Sequence, residues 1–281
     1  MDTAASIVWQ IDFWDVGQGD ASCIRLPSGQ YILIDAGPTP KAGNPLVQWF
    51  ARPPRKEIVA VAITHNDWDH VGGLLSLASN PDQTIHSVFF IHDKSAALLP
   101  GRMQAVVSVL KQRADAGRTA MHTLERDRTI HEDDLYRLAV RHPSALDMTG
   151  MQPNNRISAV IVLEHKASGR SVVVWGGDAP LVTIAEKCHD AAPLVMVGPH
   201  HGCPEDKPNG TRTFTTALGK VRPRCLFISV GMGNQYGHPN SKYIKSAVSL
   251  GAQICCSEVT HQCTDAERIT VSVFQGSGRL G

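Results

Sequence analysis

Four side chains able to hold a metal ion, His65, Asp67, Asp69 and His70, fall within six residues, straight after an apolar run and straight before Val71-Gly72-Gly73. This window constrains the fold. The strand-like run at 58–63 must end in a polar loop, and the paired glycines fit the start of a helix. Alternate residues of an extended segment point the same way, so His65, Asp67 and Asp69 are expected on one face, with His70 turning in as the helix begins. Imidazole and carboxylate are the usual ligands of zinc, manganese and iron. Four such groups in six residues outweigh the alternative of a solvated polar turn.

The rest of the chain supplies an ordinary globular background. Of 281 residues, 42% are hydrophobic and 19% charged, a balance that excludes disorder. No apolar run reaches the roughly 18–20 residues that span a bilayer. The first residues lack the basic start and apolar stretch of a signal peptide. A cytoplasmic protein with no membrane partner is therefore expected. Seven cysteines, an odd number with no CxxC pair, fit reduced thiols. A net charge of +1 excludes a strongly basic nucleic-acid coat. Between Lys207 and Ser257, however, there is no acidic residue, while Lys207, Arg212, Lys220, Arg222, Arg224, Lys242 and Lys245 all fall there. That run is either a set of solvated cations or a positive wall around a site for an anionic substrate.

Strand patterns at 7–16, 31–34, 58–63, 85–91, 157–163, 172–175, 194–197, 225–229, 254–255 and 269–274 alternate with helix patterns at 71–78, 102–116, 179–188 and 241–249. Such alternation predicts a layered α/β domain, one unit over 1–281. Residues 117–156 are polar and weakly patterned, so a variable lobe or substrate loop is expected within 95–156.

Several residues outside the first window have the chemistry to join it. Asp178 follows the apolar strand 172–175 through Gly176-Gly177, where it can reach a cation or cap a helix beginning at Ala179. His200 and His201 follow the strand 194–197 and precede Gly202. His238 lies between Gly237 and Pro239, which hold its backbone rigid; a loop-packing role is the alternative. Asp35 ends the strand at 31–34, and Asp20 ends the glycine turn Gly17-Gln18-Gly19.

The window resembles the HxHxDH signature of the metallo-β-lactamase superfamily, with Asp67 where the second histidine usually stands. The chain further resembles the soluble domain of ComEC-type competence proteins. The motifs occur in family order: Asp15-Val16-Gly17-Gln18-Gly19-Asp20, Leu33-Ile34-Asp35-Ala36-Gly37, Asn154-Asn155, Gly177-Asp178, Gly198-Pro199-His200-His201-Gly202 and Tyr236-Gly237-His238-Pro239. The resemblance implies an αββα four-layer sandwich and two divalent ions, zinc first, with manganese or iron as alternatives favoured by Asp67. It implies metal ligands among His65, Asp67, Asp69, His70, Asp178 as the bridge, His200 and His201, with the choice between the two adjacent histidines open. Asp69 and His238 are the catalytic candidates, and Asp20, Asp35 and Asn155 would support ligands or substrate. One imidazole of the family set has no counterpart between His70 and Asp178; His86, His92, His122, His131 and His142 lack a motif, which leaves Asn154 or Asn155 as substitutes.

The implied reaction is hydrolysis of a phosphodiester, DNA being the first candidate, by water whose pKa two shared metals lower toward ~7. His238 would bind phosphate or protonate the leaving group. The membrane channel of full competence proteins is not read here, so a role in DNA uptake is not expected. The competing readings are hydrolysis of a non-phosphate ester, thioester or lactam, and an inactive nucleic-acid-binding module.

Overall fold

Two mixed sheets carry the chain in the computed structural model, which describes residues 7–39, 43–91, 101–149, 154–203, 211–258, 270–274 and 277–280. The first contains β1 (Ile7–Phe13), β2 (Ala21–Arg25), β3 (Tyr31–Ala36), β4 (Ile58–Ala62), β5 (Ile85–Phe90), β6 (Ala120–Thr123), β14 (Thr270–Phe274) and β15 (Ser277–Leu280). Its order is β15-β14-β1-β2-β3-β4-β5-β6, antiparallel as far as β3 and parallel beyond it. The second contains β7 (Thr129–Glu132), β8 (Tyr136–His142), β9 (Val160–His165), β10 (Arg170–Trp175), β11 (Val195–Val197), β12 (Cys225–Ile228) and β13 (Gln253–Cys256). Its order is β13-β12-β11-β10-β9-β8-β7, parallel from β13 to β10 and antiparallel from there on.

Side-chain alternation explains why the two sheets stack. In β3, Ile32 and Ile34 enter one apolar cluster and Leu33 another; in β4, Ala60 and Ala62 oppose Val61 in the same way. Across the sandwich, Ile161, Leu163, Val173 and Trp175 join the cluster of Ile32, while Val160, Val162 and Val174 join a third. A period of two with both faces apolar is what strands covered on both sides require. The shared cluster fills the space between the sheets. Helices α1 (Pro45–Ala51), α2 (Trp68–Ser79) and α3 (Gly101–Asp115) cover the first sheet through Leu46, Phe50, Leu74 and Leu110. Helices α4 (Leu181–Lys187), α6 (Thr211–Val221) and α7 (Ser241–Ser249) cover the second through Ile184, Phe214, Leu218 and Tyr243. The short turn α5 (Pro199–Gly202) stands apart at the strand ends. The layers are αββα, as expected.

Three expectations are corrected. The stretch 117–156 is not loop throughout: β6, β7 and β8 extend both sheets, and Leu138 and Val140 reach the central core. Helix α2 begins at Trp68, so Asp69 shares its first turn with His70, as expected for His70 alone, rather than continuing the extended segment of His65 and Asp67. Cys256 is disulfide-bonded, whereas Cys23, Cys188, Cys203, Cys225 and Cys255 are free thiols. No helix among the described residues is long and apolar enough to cross a membrane.

The fold delivers the carboxyl ends of β3, β4, β10, β11 and β12 to one edge of the sandwich, where parallel strands generally present ligand-binding residues. The candidate site lies there.

Candidate metal centre

Asp178 is the hub of the site, and its placement follows from the glycines before it. Gly177 adopts φ +48°, and a Cβ there would collide with the Ser158 and Thr64 hydroxyls, so the chain after β10 can turn inward only without a side chain. The Asp178 amide then donates to Ser158 Oγ (3.0 Å). Helix α4 starts later, capped at Pro180 with no side-chain bond. Asp178 is therefore not a helix cap; 3% exposed, its carboxylate faces imidazoles.

Each carboxylate oxygen faces a different group. Asp178 Oδ1 lies 3.2 Å from His70 Nε2. Asp178 Oδ2 lies 3.5 Å from His65 Nε2 and 3.5 Å from His200 Nε2. Asp67 Oδ2 approaches His65 Nε2 at 3.4 Å, and Asp69 Oδ2 approaches His201 Nε2 at 3.1 Å. One group thus collects His65, Asp67 and His200, and the other Asp69, His70 and His201, with Asp178 between them. Asp67 occupies the N-cap position of α2 yet makes no capping bond. Its Oδ1 accepts from Asn154 Nδ2 instead (2.6 Å), which holds the carboxylate toward His65.

The adjacent histidines part because both adopt left-handed backbone, φ +50° at His200 and +53° at His201. Such residues cost about 1–3 kcal/mol each and persist where the surroundings fix them. Their rings stand 6.1 Å apart, and each turns to a different oxygen-bearing partner. His200 is the imidazole that joins His65 beside Asp178 Oδ2. Of the other candidates, His86 pairs with Glu57, His122 stacks on Phe89, His131 lies against Trp9 and His142 bonds the Arg156 carbonyl; His92 lies outside the described residues.

Behind these groups, second nitrogens are tied down. His70 Nδ1 donates to Asp35 Oδ2 (2.8 Å), and His201 Nδ1 donates to the Ser229 carbonyl (2.9 Å). Asp35, itself at φ +55°, also accepts from the Thr64 amide (2.7 Å) and hydroxyl (2.8 Å). These bonds fix the rings so that, once the imidazoles give up their extra protons, the Nε2 lone pairs face the centre. Asp20 comes near only the tied nitrogens, 3.5 Å from His201 Nδ1 and 4.0 Å from His70 Nδ1. Although Asp20, His70 and His201 also cluster closely enough to hold an ion, those nitrogens are already bonded, which leaves Asp20 as support. Asn155 closes the turn at Asn154–Ile157 through its carbonyl, which accepts from the Ser158 amide (3.2 Å). Asn154, expected as a possible substitute ligand, instead orients Asp67; Thr64, Ser158 and Ser229 were not anticipated, and only the position of Thr64, between a strand and His65, hinted at a role.

The donor set fits divalent metal ions. His65 Nε2, His70 Nε2 and Asp178 Oδ1 are buried atoms with no hydrogen bond, and His65, His70 and Asp178 cluster at metal-binding distances where the two groups meet. Buried polar atoms left without partners are rare unless something else satisfies them. The electrostatics agree. Burial alone would push His70 down, but Asp35 and Asp178 outweigh it and hold it well above the usual histidine value. Burial likewise opposes His201, which Asp20 and Asp69 raise to about 10. Burial would raise Asp178 and Asp69, yet the imidazoles hold Asp178 well below the carboxylate range and Asp69 at about 2. Metal-free, the centre carries imidazole protons at neutral pH. Metal uptake must release them, and affinity should fall about tenfold per pH unit on acidification for each proton displaced. Calorimetry in buffers of different ionisation enthalpy measures this; uptake without proton release at pH 7 would remove His70 and His201 from the ligand set.

Asp35→Asn keeps the size of the residue but not its double acceptor. Metal affinity is expected to drop about 10–100-fold, the usual effect of losing a group that orients a ligating histidine, with chelator competition as the readout. Unchanged affinity would make Asp35 a brace for Thr64 alone.

His238 stands beside both groups, its ring 5.3 Å from His200 and 6.0 Å from His201. Asn234 clamps its backbone, donating to the His238 carbonyl (2.9 Å) and accepting from its amide (3.0 Å). Burial and the charges of His201 and His200 push its pKa down to about 4. The cations of the acid-free stretch divide. Arg222 pairs with Asp190 (2.6 Å), and the Arg224 amide bonds Pro193 at the entry to β11. Both lie at the strand ends remote from His200. Lys242 opens α7 just after His238. Lys207 and the Arg212 side chain lie outside the described residues. Among the described residues, Arg222 and Arg224 thus do not border the site.

Residues 30–208 match the model of the β-lactamase superfamily domain. ComE operon protein 3 of Bacillus subtilis (strain 168) is 23% identical over 257 residues, covering 84% of this chain; the chain spans only 30% of that relative's length. Among solved structures, Igni18, a metallo hydrolase from Ignicoccus hospitalis KIN4/I, is 16% identical with a TM-score of 0.50, covering 93% of this chain and 98% of its own. Zn(2+)-bound PqqB from Methylobacterium extorquens is 13% identical with a TM-score of 0.52, covering 94% of this chain and 100% of its own. The fold implies divalent metals and hydrolytic chemistry, and the chain belongs to the β-lactamase superfamily, with the metallo-β-lactamase fold.

Proposed function

We propose that this chain is a metal-dependent phosphodiester hydrolase, a nuclease or phosphodiesterase whose ligands are His65, Asp67, Asp69, His70, Asp178, His200 and His201. The observation that carries the reading is His238, a buried imidazole neutral at pH 7, clamped beside both donor groups. Two divalent ions bound there would lower the pKa of water and act as Lewis acids toward a phosphoryl oxygen. The protein's own groups supply the rest. Asp178 holds the two donor groups together. Asp69, ionised at neutral pH, offers a carboxylate to orient water or accept its proton. His238 offers an N–H to the charge that develops on phosphate oxygens, an interaction that gains most in the transition state. Zinc is the first metal to test; Asp67 in place of an imidazole adds oxygen character that also suits manganese or iron.

DNA is the first polymer to test, because Tyr236 is 63% exposed beside His238, at 5.6 Å, where a base can stack. The decisive experiment measures metal content and turnover of bis-p-nitrophenyl phosphate by zinc- and manganese-loaded protein, beside a β-lactam and a glutathione thioester. Diester turnover with negligible lactam or thioester hydrolysis is expected; the reverse pattern overturns the proposal.

The position of the cations sets a further expectation. Lys242→Glu should raise KM for single-stranded DNA several-fold and lower the salt slope of binding by about 0.7, while leaving the chromogenic diester unaffected. Arg222→Glu should change neither. Equal effects of the two reversals would mean that the polymer does not pass Lys242.

A further inference from the structure

The turn Gly17-Gln18-Gly19 is inserted between three parts of the centre. A Cβ at Gly19 would collide with the Asp69 carbonyl. The Gly19 carbonyl accepts from Ser229 Oγ (2.8 Å), and the next amide, of Asp20, donates to the Asp69 carbonyl (3.2 Å). This close fit leaves the Gln18 side chain pointing at the loop that carries His238. Gln18 Oε1 accepts from the Gly231 amide (3.1 Å), and Gln18 Nε2 lies 3.4 Å from His238 Nδ1, the long end of a hydrogen bond.

These two contacts determine which way the Gln18 amide faces. A backbone N–H can only donate, so the group against Gly231 must be the oxygen. The amide nitrogen is then left facing His238, and an NH2 group can only donate. His238 Nδ1 must accept, which puts the single ring proton on Nε2. Asn234 fixes the same residue from the other side through its backbone, and Asn234 Nδ2 also bonds the Gly231 carbonyl (2.9 Å), so backbone and side chain of His238 are referred to one point, Gly231.

We propose that Gln18 is a positioning residue that locks His238 in the neutral Nε2-protonated tautomer, making it a fixed hydrogen-bond donor to an anionic substrate oxygen rather than a metal ligand. The donor role rests on the phosphodiester reading; the tautomer does not. With Nδ1 engaged by Gln18 and Nε2 protonated, neither nitrogen has a lone pair to give a metal. His238 is in this way set apart from His200 and His201, although all three rings lie together.

The test is a long-range proton–nitrogen correlation spectrum of zinc-loaded protein labelled with 15N-histidine, the His238 signals being those lost in His238→Asn. The expected wild-type pattern is one protonated nitrogen, Nε2, and one unprotonated, Nδ1. Gln18→Glu replaces the donor with an acceptor and should place a proton on Nδ1. Gln18→Met, of similar length and unable to donate, should give a tautomer mixture. With zinc content retained, kcat for bis-p-nitrophenyl phosphate is expected to fall about 10-fold or more in Gln18→Glu, with KM little changed. A wild-type His238 protonated on Nδ1 or bound to zinc overturns the proposal, as does a spectrum unmoved by Gln18→Glu. The expected spectra without diester turnover by the wild type would retain the role of Gln18 and discard the phosphodiester reading.

Discussion

Asp178→Ala is expected to lower kcat by about 10³-fold or more and to remove more metal than any other single substitution. The other proposed ligands each stand on one side of Asp178. Asp178 gives Oδ1 to the side of His70 and Oδ2 to the side of His65 and His200, so its loss affects both. The metal-free protein should suffer too. Asp35 and Asp178 together push His70 well above the usual histidine value, and His70 and Asp178 are both almost fully buried. Removing one partner of a buried pair leaves an uncompensated charge, typically at a cost of about 3–5 kcal/mol. Metal content by elemental analysis and denaturant unfolding of the metal-free variant check the two effects separately. A variant that keeps both metals at wild-type occupancy would show that Asp178 does not bridge.

His238→Ala should lower kcat about 10²–10³-fold on DNA and on the small diester alike, with both metals retained. That is the usual effect of deleting one donor aimed at developing charge. The loss should fall on kcat rather than KM, because the donor matters most once charge accumulates on the phosphate oxygens. Folding should be little affected, since the Asn234 bonds that hold the loop run to the backbone of residue 238 and survive the change. Loss of a metal together with activity would make His238 a ligand and contradict the assignment.

The sandwich was legible because its central strands are covered on both faces: 31–34 and 172–175 are nearly all apolar, and the Ser241–Ser249 helix matched its expected limits. β6 and β7 escaped because edge strands with half-exposed residues show no alternation. The window at 65–70 was legible in residue type, yet not in grouping. Where the helix begins decides whether Asp69 joins Asp67 or His70, and sequence places such boundaries poorly. Asp178 remained ambiguous in sequence because a cap and a bridge would occupy the same position after the same strand. The separation of His200 from His201 depends on two left-handed backbone conformations that ordinary residues rarely adopt, and nothing in their identity announces it. Gln18 gave no signal of its role, since its partner is a backbone amide remote in sequence.

The two donor groups each draw on both halves of the sandwich: His65, Asp67, Asp69 and His70 follow β4, while Asp178, His200 and His201 follow β10 and β11. An ion held there is a staple between sheets that otherwise meet through an apolar core and a few hydrogen bonds, such as Trp175 Nε1 to Ser22 Oγ. Binding therefore contributes directly to cohesion, about 2.7 kcal/mol for each site filled at a free metal concentration a hundred times its Kd. Because ligands so distant along the chain must first be gathered, the staple can close only late in folding. A cell that starves this protein of metal would lose catalysis and, with it, part of the bond between the halves, exposing the chain to proteolysis before any residue is damaged.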